Sequence, residues 1–265
     1  MPIAAGSAVL ILGGTAEARA LAADLVAAGR PVISSLAGRV RDPALPVGDV
    51  RVGGFSTAAR DGVDGLAVYL TEHEIGAVID ATHPFAAKIS AHAAAAAART
   101  GTPLLRLQRP GWRDHPDATR WTWVASTDAA VVAGASAERP LLTTGRQSLD
   151  RFLPWAGRDV TVRVVDPPSI TVPGRWRVIR SRGPYAYADE HALMSAAGSD
   201  LLVTKDSGGD HTAAKLAAAR DLGVPVVVIR RPAPPPGVPQ VATVGEVLIR
   251  LSYPTGLPGS TSSTG

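Results

Sequence analysis

The sequence contains no cysteine among its 265 residues. This absence excludes disulfide bonds, catalytic thiolates and metal sites built on thiolate ligands. The six histidines are dispersed, and none shows the His-x-x-x-His or Glu-x-x-His spacing that places two ligands on one helix face. We therefore predict that the protein holds no metal ion.

Aromatic residues are also scarce, at 5% of the chain, and they are not interleaved with runs of basic residues. Nucleic-acid platforms combine these two residue types, so the composition argues against a nucleic-acid partner. The net charge of +4 and the isoelectric point near 9.8 come from scattered basic residues. A mildly basic protein of this kind suits a small polyanionic ligand.

Several longer patterns are missing as well. No stretch approaches the ~18 uninterrupted apolar residues of a membrane span, and no basic N-terminal segment precedes a long apolar run. We therefore expect a cytoplasmic protein without a membrane partner. The Gly-x-Ser-x-Gly and Walker A motifs are absent too, which argues against serine hydrolysis and ATP hydrolysis. The sequence leaves the oligomeric state open.

Short apolar runs alternate with helix-forming segments along most of the chain, and hydrophobic residues make up 46% of it. The predicted strands span residues 9–12, 31–35, 49–52, 77–80, 102–107, 121–125, 140–145, 159–165, 177–179, 200–204 and 225–229, and a last helix spans 244–251. This alternation predicts an α/β fold with mostly parallel sheets covered on both faces. Because residues 108–123 break the rhythm, we predict two doubly wound domains, at 1–108 and 109–253, and a disordered tail at 254–265.

The first predicted strand ends in Gly13-Gly14-Thr15, and a helix-forming run follows. Glycines let the backbone approach a ligand closely, and Thr15 suits the cap position of the helix. The unpaired N–H groups at a helix start form an anion site. The turn therefore fits a nucleotide pyrophosphate, although a plain strand-to-helix turn uses the same residues.

The second strand leads into a loop from Ser34 to Arg39 in which no acid occurs before Asp42. A site for NAD usually places an acid here, to bind the ribose 2′-hydroxyl. Ser35 and Arg39 instead offer a hydroxyl and a guanidinium, which suit the 2′-phosphate of NADP. The alternative for Arg39 is an ordinary solvated arginine.

The fourth strand ends in the polar stretch 80–86, Asp-Ala-Thr-His-Pro-Phe-Ala. Ligands of open α/β sheets bind beyond the carboxyl ends of the strands. We therefore predict that Thr82 and His83 contact a ligand, and we consider His83 as a catalytic residue. The alternatives are a structural histidine and an Asp80 that only braces the turn.

Two strand ends in the second half are also rich in polar residues. Residues 143–148 resemble a second anion-binding turn and include Arg146. The stretch from Thr204 to Asp210 combines a lysine, two acids, a serine and two glycines, and Lys215 lies on the next helix. A plain loop would not require so many polar groups.

Taken in order, five stretches resemble the precorrin-6A reductase family of cobalamin biosynthesis. They are residues 13–19, 35–39, 80–86, 144–146 and 204–208. The resemblance implies an NADPH-dependent oxidoreductase that transfers a hydride from the nicotinamide to the precorrin-6A macrocycle and yields precorrin-6B. It also implies two Rossmann-like domains with a ligand cleft between them, and a tetrapyrrole substrate with many carboxylate side chains.

The resemblance also implies roles for individual residues. The cofactor side comprises Gly13, Gly14 and Thr15 at the pyrophosphate, Ser35 and Arg39 at the adenosine end, and Thr82, His83 and Phe85 along the cleft. The substrate side comprises Arg146, Lys205, Asp206, Ser207, Gly208 and Lys215. His83 or Asp206 would relay a proton or stabilise charge on the macrocycle. The alternative function is a two-domain nucleotide-binding or methyl-transfer protein acting on another tetrapyrrole.

Overall fold

The structure is a computed structural model, and it describes residues 6–38, 45–209 and 212–252. Their contacts divide them into two compact units. The first unit comprises residues 6–38, 45–108 and 234–252, and the second comprises residues 109–209 and 212–233. Arg39 and the predicted tail at 254–265 lie outside the described residues.

Both units are built from alternating strands and helices, as predicted. The strands are β1 (Val9–Leu12), β2 (Val32–Leu36), β3 (Asp49–Val52), β4 (Ala77–Asp80), β5 (Leu104–Leu107), β6 (Thr122–Val124), β7 (Pro140–Thr143), β8 (Thr161–Val164), β9 (Arg177–Arg180), β10 (Leu201–Lys205), β11 (Val226–Ile229) and β12 (Gln240–Val241). The α-helices are α1 (Ala16–Ala27), α2 (Gly62–Glu72), α3 (Ala87–Thr100), α4 (Thr127–Ala133), α5 (Tyr187–Ala196), α6 (Ala214–Asp221) and α7 (Val244–Ser252). The segments Ala118–Arg120 and Arg146–Trp155 form 3₁₀ helices.

The first unit contains a six-stranded sheet in the order β12-β5-β4-β1-β2-β3, and every strand pair in it is parallel. The central strands β1 and β4 are buried along their whole length. Ile11 and Leu21 pack together on one face of the sheet, whereas Leu10 and Leu66 pack on the other. Apolar strands covered by helices on both faces are typical of parallel sheets.

The second unit contains another six-stranded sheet, in the order β6-β11-β10-β7-β8-β9, and its strand pairs are also parallel. Leu141, Leu202 and Val228 from three of its strands pack with Leu216 of α6. The predicted fold class, an α/β chain with two parallel sheets, is therefore confirmed.

Residues 234–252 lie in the first unit, whereas the predicted boundary places them in the second domain. The reason is a long-range pairing, in which β12 adds to the edge of the first sheet beside β5. Helix α7 then packs Val247 and Leu251 into the same core as Val9 and Ile11. A strand of two residues after a proline-rich segment leaves almost no periodic pattern, so the sequence did not reveal it.

The helices of the described residues are short. None of them combines the length and the apolar character that a helix needs to cross a bilayer.

Candidate functional site

Each sheet has a point at which the strand order reverses. Ligands of open α/β sheets bind at the carboxyl ends of the strands beside such a point. In the first sheet it lies between β1 and β4, because the chain adds β2 and β3 on one side of β1 and then β4 on the other. In the second sheet it lies between β7 and β10 for the same reason. The turns that follow these four strands contain most of the predicted site residues.

The turn after β1 is open above Gly14. The backbone N–H of Gly13 donates to the carbonyl oxygen of Ser35 at 3.0 Å, which fixes the start of the turn. Gly14 has a φ of +109°, and a Cβ at this position would have no atom within 4 Å. The positive φ favours glycine, and the space above it is accessible to a ligand.

Thr15 serves as the cap of α1. Its Oγ1 accepts the N–H of Ala18 at 3.1 Å and donates to the carbonyl oxygen of Ala81 at 2.9 Å. The second bond joins the turn after β1 to the turn after β4. Because the hydroxyl is engaged in both bonds, Thr15 would bind a ligand through its backbone N–H.

Arg51 on β3 is a candidate site residue that the sequence patterns did not single out. It lies beside Ser35 in the register of β2 and β3, and its Nη1 donates to Ser35 Oγ at 2.7 Å. The guanidinium also donates to the carbonyl oxygens of Gly53 and Gly54, at 3.1 and 3.0 Å, and lies 3.8 Å from the ring centre of Phe55. Burial lowers the pKa of Arg51. These contacts hold a cation at the carboxyl end of β2.

A buried polar network lies beneath the turn after β4. Asp80 and Arg106 form an ion pair at 2.5 Å, and both side chains are 3% exposed. Thr82 Oγ1 donates to Asp80 Oδ1 at 2.6 Å, and Arg106 Nη1 donates to Ser90 Oγ at 2.5 Å. The network braces residues 80–82, which agrees with the bracing role considered for Asp80. The hydroxyl proton of Thr82 is used inside the network.

His83 and Phe85 follow this network and are both half-buried. The Nδ1 atom of His83 accepts the backbone N–H of Phe85 at 3.2 Å, and the two rings lie 5.8 Å apart. A neutral imidazole that accepts at Nδ1 carries its proton on Nε2. His83 is thus oriented as a donor through Nε2.

In the second unit, the turn after β7 resembles the turn after β1. Gly145 has a φ of +79°, and a Cβ there would have no atom within 4 Å. Arg146 begins the following 3₁₀ helix, and its Nη1 donates to the carbonyl oxygen of Pro167 at 3.4 Å. A guanidinium is therefore positioned beside an open glycine turn.

The turn after β10 is held against residues 109–112 by two arginines. Arg109 Nε donates to the carbonyl oxygens of Ser207 and Gly208, at 2.7 and 3.1 Å. Arg231 Nε donates to the carbonyl oxygen of Asp206 at 2.9 Å. The bonds from Arg109 and Arg231 make the turn a rigid platform. Burial lowers the pKa of Lys205, which ends β10.

The Asp206 carboxylate is engaged within this platform. Its Oδ1 accepts the backbone N–H of Trp112 at 2.9 Å, its Oδ2 lies 3.4 Å from Arg231 Nε, and the residue is 5% exposed. These contacts give Asp206 a positioning role for residues 109–112.

Lys215 lies inside the second unit, with only 4% of the residue exposed. Its Nζ donates to the carbonyl oxygen of Thr212 and lies 4.7 Å from the ring centre of Trp112. Burial, followed by the positive charge of Arg163, lowers the pKa of Lys215 to about 7. Direct contact with a substrate would require the side chain to leave this position.

The structure thus brings the predicted residues together in two groups, one in each unit. Gly13, Gly14, Thr15, Thr82, His83 and Phe85 lie at the switch point of the first sheet, with Ser35 one strand away, and Arg146, Lys205, Asp206, Ser207 and Gly208 lie at that of the second. The described residues contain no group of three or more His, Asp or Glu side chains placed to hold a metal ion.

Comparison with known proteins finds relatives along nearly the whole chain. The family model for precorrin-6x reductase CbiJ/CobK matches residues 8–252. A precorrin-6A reductase from Rhodococcus erythropolis is 50% identical over 238 residues, which cover 89% of this chain and 94% of that protein. A precorrin-6A reductase from Mycobacterium tuberculosis (strain ATCC 25618 / H37Rv) is 49% identical over 243 residues, covering 89% and 93%. Among solved structures, CobK precorrin-6A reductase matches with a TM-score of 0.85 and 39% identity, covering 93% of this chain and 96% of that one.

Proposed function

The chain belongs to the precorrin-6x reductase CbiJ/CobK family, and on that premise we propose that NADPH is its reductant. As a family member it reduces the tetrapyrrole precorrin-6A, a step of cobalamin biosynthesis. The resemblance predicted from the five sequence stretches is therefore confirmed. The reductant and the roles of individual residues are part of the proposal.

The turn at residues 13–15 is the observation that carries the proposal for the cofactor. At Gly14 a Cβ would occupy open space directly before the N-terminus of α1. The N–H groups and the dipole of a helix N-terminus favour a pyrophosphate. Gly13, Gly14 and the backbone of Thr15 therefore fit a dinucleotide.

The residues at the end of β2 support NADPH rather than NADH. Ser35 Oγ accepts a hydrogen bond from Arg51, which leaves its own hydroxyl proton to donate to an anion. No acid follows β2 before Asp42 to bind a free ribose 2′-hydroxyl. We assign recognition of the 2′-phosphate to Ser35, Arg39 and Arg51.

The remaining site residues would orient the two reactants. The bound cofactor supplies the hydride, so the protein contributes position, charge and a proton. Thr82, His83 and Phe85 would line the reacting side of the first unit. Basic groups at the second switch point, Arg146 and Lys205, would bind carboxylates of the substrate together with Ser207 and Gly208. Lys215 would support these residues indirectly, through its contact with the ring of Trp112.

We expect Arg39→Glu to weaken NADPH binding about tenfold or more, and NADH binding about twofold or less, because a carboxylate would replace a cation near the 2′-phosphate. Arg51→Met should also weaken the binding of NADPH more than the binding of NADH. Titration of the purified protein with each nucleotide, followed by nicotinamide fluorescence, measures both affinities without turnover.

Arg30→Glu is the matched control, because Arg30 precedes β2 and lies at the opposite end of that strand. It should leave both affinities unchanged. Equal weakening of NADPH and NADH by Arg39→Glu and Arg51→Met would contradict the assignment of the 2′-phosphate site. A wild-type protein that binds neither nucleotide would contradict the choice of reductant.

The proton is assigned to His83 rather than to Asp206. The His83 imidazole is half-buried and, once protonated, would give its proton to the substrate and return to the neutral ring, whereas the Asp206 carboxylate already pairs with Arg231 and with the N–H of Trp112. Removing a general acid lowers turnover by about 100-fold or more. We therefore expect this loss of kcat in His83→Ala and a much smaller one in Asp206→Asn, measured by NADPH oxidation with precorrin-6A. Full turnover in His83→Ala would remove it as the proton donor.

A further inference from the structure

A cavity in the second unit is lined by arginines to which the proposed function gives no role. It has a volume of about 290 Å³, and its lining residues are Gly111, Arg113, Asp114, Asp206, Arg230 and Arg231. The cavity lies at the carboxyl edge of the second sheet, because Arg230 directly follows β11 and Asp206 directly follows β10. We propose that this cavity binds one carboxylate side chain of the tetrapyrrole substrate.

One wall of the cavity is fixed in place by Arg231. Besides its bond to the carbonyl oxygen of Asp206, this guanidinium donates to the carbonyl oxygens of Arg109 and Pro110, at 2.8 and 3.1 Å. Gly111 allows the close approach of the two segments, since a Cβ there would lie 2.7 Å from Asp206 Oδ2. A wall that is already ordered loses little side-chain entropy when a ligand binds.

The other two arginines present their charge to solvent. Arg113 and Arg230 are exposed, and within the described part of the chain neither of them forms an ion pair. Arg113 lies 5.5 Å from the ring centre of Trp123, and the backbone N–H of Arg230 donates to the carbonyl oxygen of Val124 at 2.8 Å. The ring contact holds the side chain of Arg113, and the backbone bond holds the main chain of Arg230. Both guanidinium groups can bind a carboxylate through paired N–H donors.

The charge of the cavity favours an anion. Its three guanidinium groups outnumber the carboxylates of Asp114 and Asp206. The Asp206 carboxylate is also neutralised by Arg231 and by the N–H of Trp112. With Asp206 and Arg231 balancing each other, Arg113 and Arg230 face the single carboxylate of Asp114, and the cavity keeps one unbalanced positive charge.

The volume of the cavity decides what part of a ligand it accepts. Pockets that enclose whole small molecules have volumes of roughly 300–1,000 Å³, and a cavity of about 290 Å³ lies at the lower end of this range. It is too small to enclose a tetrapyrrole macrocycle and can accept only a part of one, such as a side chain. A carboxylate anchored there would fix how the ring is rotated over the turn after β10. The inference rests on the proposed function, because the ligand is a side chain of that substrate.

The experiment compares the wild type with Arg113→Gln and Arg230→Gln at saturating NADPH. We expect each substitution to raise the KM for precorrin-6A about tenfold, as for the loss of a charge-assisted hydrogen bond. The kcat should change about twofold or less, because neither arginine is assigned to the transfer of the hydride or the proton. Quenching of tryptophan fluorescence by precorrin-6A without NADPH should show the same tenfold loss of affinity.

Arg177→Gln is the matched control, since Arg177 is an exposed arginine at the amino end of β9, on the opposite edge of the same sheet. It should keep the wild-type KM. An unchanged KM in Arg113→Gln and Arg230→Gln overturns the inference, and so does an equal rise in Arg177→Gln, which would indicate a non-specific charge effect. A wild type that neither binds nor reduces precorrin-6A would overturn the proposed function itself.

Discussion

Replacing Gly208 by alanine is expected to lower the free energy of unfolding by about 2–5 kcal/mol and to abolish most of the reductase activity. Gly208 has a φ of +64°, which disfavours any side chain. A Cβ would also overlap the carbonyl oxygen of Pro110 and the guanidinium of Arg231. Because Arg231 itself holds Pro110, neither atom can move without breaking the platform. Urea unfolding followed by tryptophan fluorescence and a precorrin-6A reduction assay measure the two effects.

Gly223→Ala separates backbone strain from the steric overlap. Gly223 has a φ of +67°, almost the same as that of Gly208, but a Cβ there would have no atom within 4 Å. The free energy of unfolding of this variant should fall by only about 1 kcal/mol, and its reductase activity should be kept. Equal losses in the two variants would show that the φ angle alone matters and that the close approach of residues 109–112 contributes nothing.

The central strands were predictable because their signal is local. Residues 9–12 and 77–80 are short apolar runs that end in turn residues, and β1 and β4 have the predicted bounds. Since both faces of a parallel sheet are covered, such runs need no alternating pattern. Repetition of strand and helix along the chain then predicts the fold class.

The 3₁₀ helix at Arg146–Trp155 was not predicted, although the sequence contains a signal for it. Its buried residues Leu149, Phe152 and Trp155 recur every third position, which is the repeat of a 3₁₀ helix. This spacing differs from the period of 3.6 residues that marks an amphipathic α-helix. Pro154 within the segment is also unfavourable for an α-helix.

Most of the predicted site residues lie at the carboxyl end of a strand or in the turn that follows it. Gly14, His83 and Lys205 could be found in this way because the carboxyl ends of parallel strands meet at one edge. Their supporting partners Arg51 and Arg231 come from other strands or loops, so the partnership depends on the register of the sheet. In a chain in which 24 of the 27 basic residues are arginine, residue type alone could not identify them.

Arg106→Met is expected to lower the free energy of unfolding of the first unit by about 3–5 kcal/mol, because it leaves Asp80 buried without its cation. The two side chains are each 3% exposed and lie 2.5 Å apart. The substitution also removes the bond from Arg106 to Ser90, so the turn at residues 80–82 loses its brace. NADPH affinity should fall together with stability, since Thr15 is bonded to Ala81 within that turn. Urea unfolding and nucleotide titration of the same samples test both effects.

Arg99→Met provides the comparison, because Arg99 pairs with Asp64 at the same distance of 2.5 Å but with side chains that are 56% and 47% exposed. An exposed ion pair contributes about 0–1 kcal/mol, so Arg99→Met should unfold nearly like the wild type and bind NADPH equally well. Adding Asp80→Asn to Arg106→Met should restore part of the lost stability, because the unpaired buried charge is then removed. If Arg106→Met and Arg99→Met lower the free energy of unfolding by the same amount, burial does not determine how much the Asp80–Arg106 pair contributes to stability. If Arg106→Met loses stability but keeps its NADPH affinity, the network supports the sheet and not the cofactor turn.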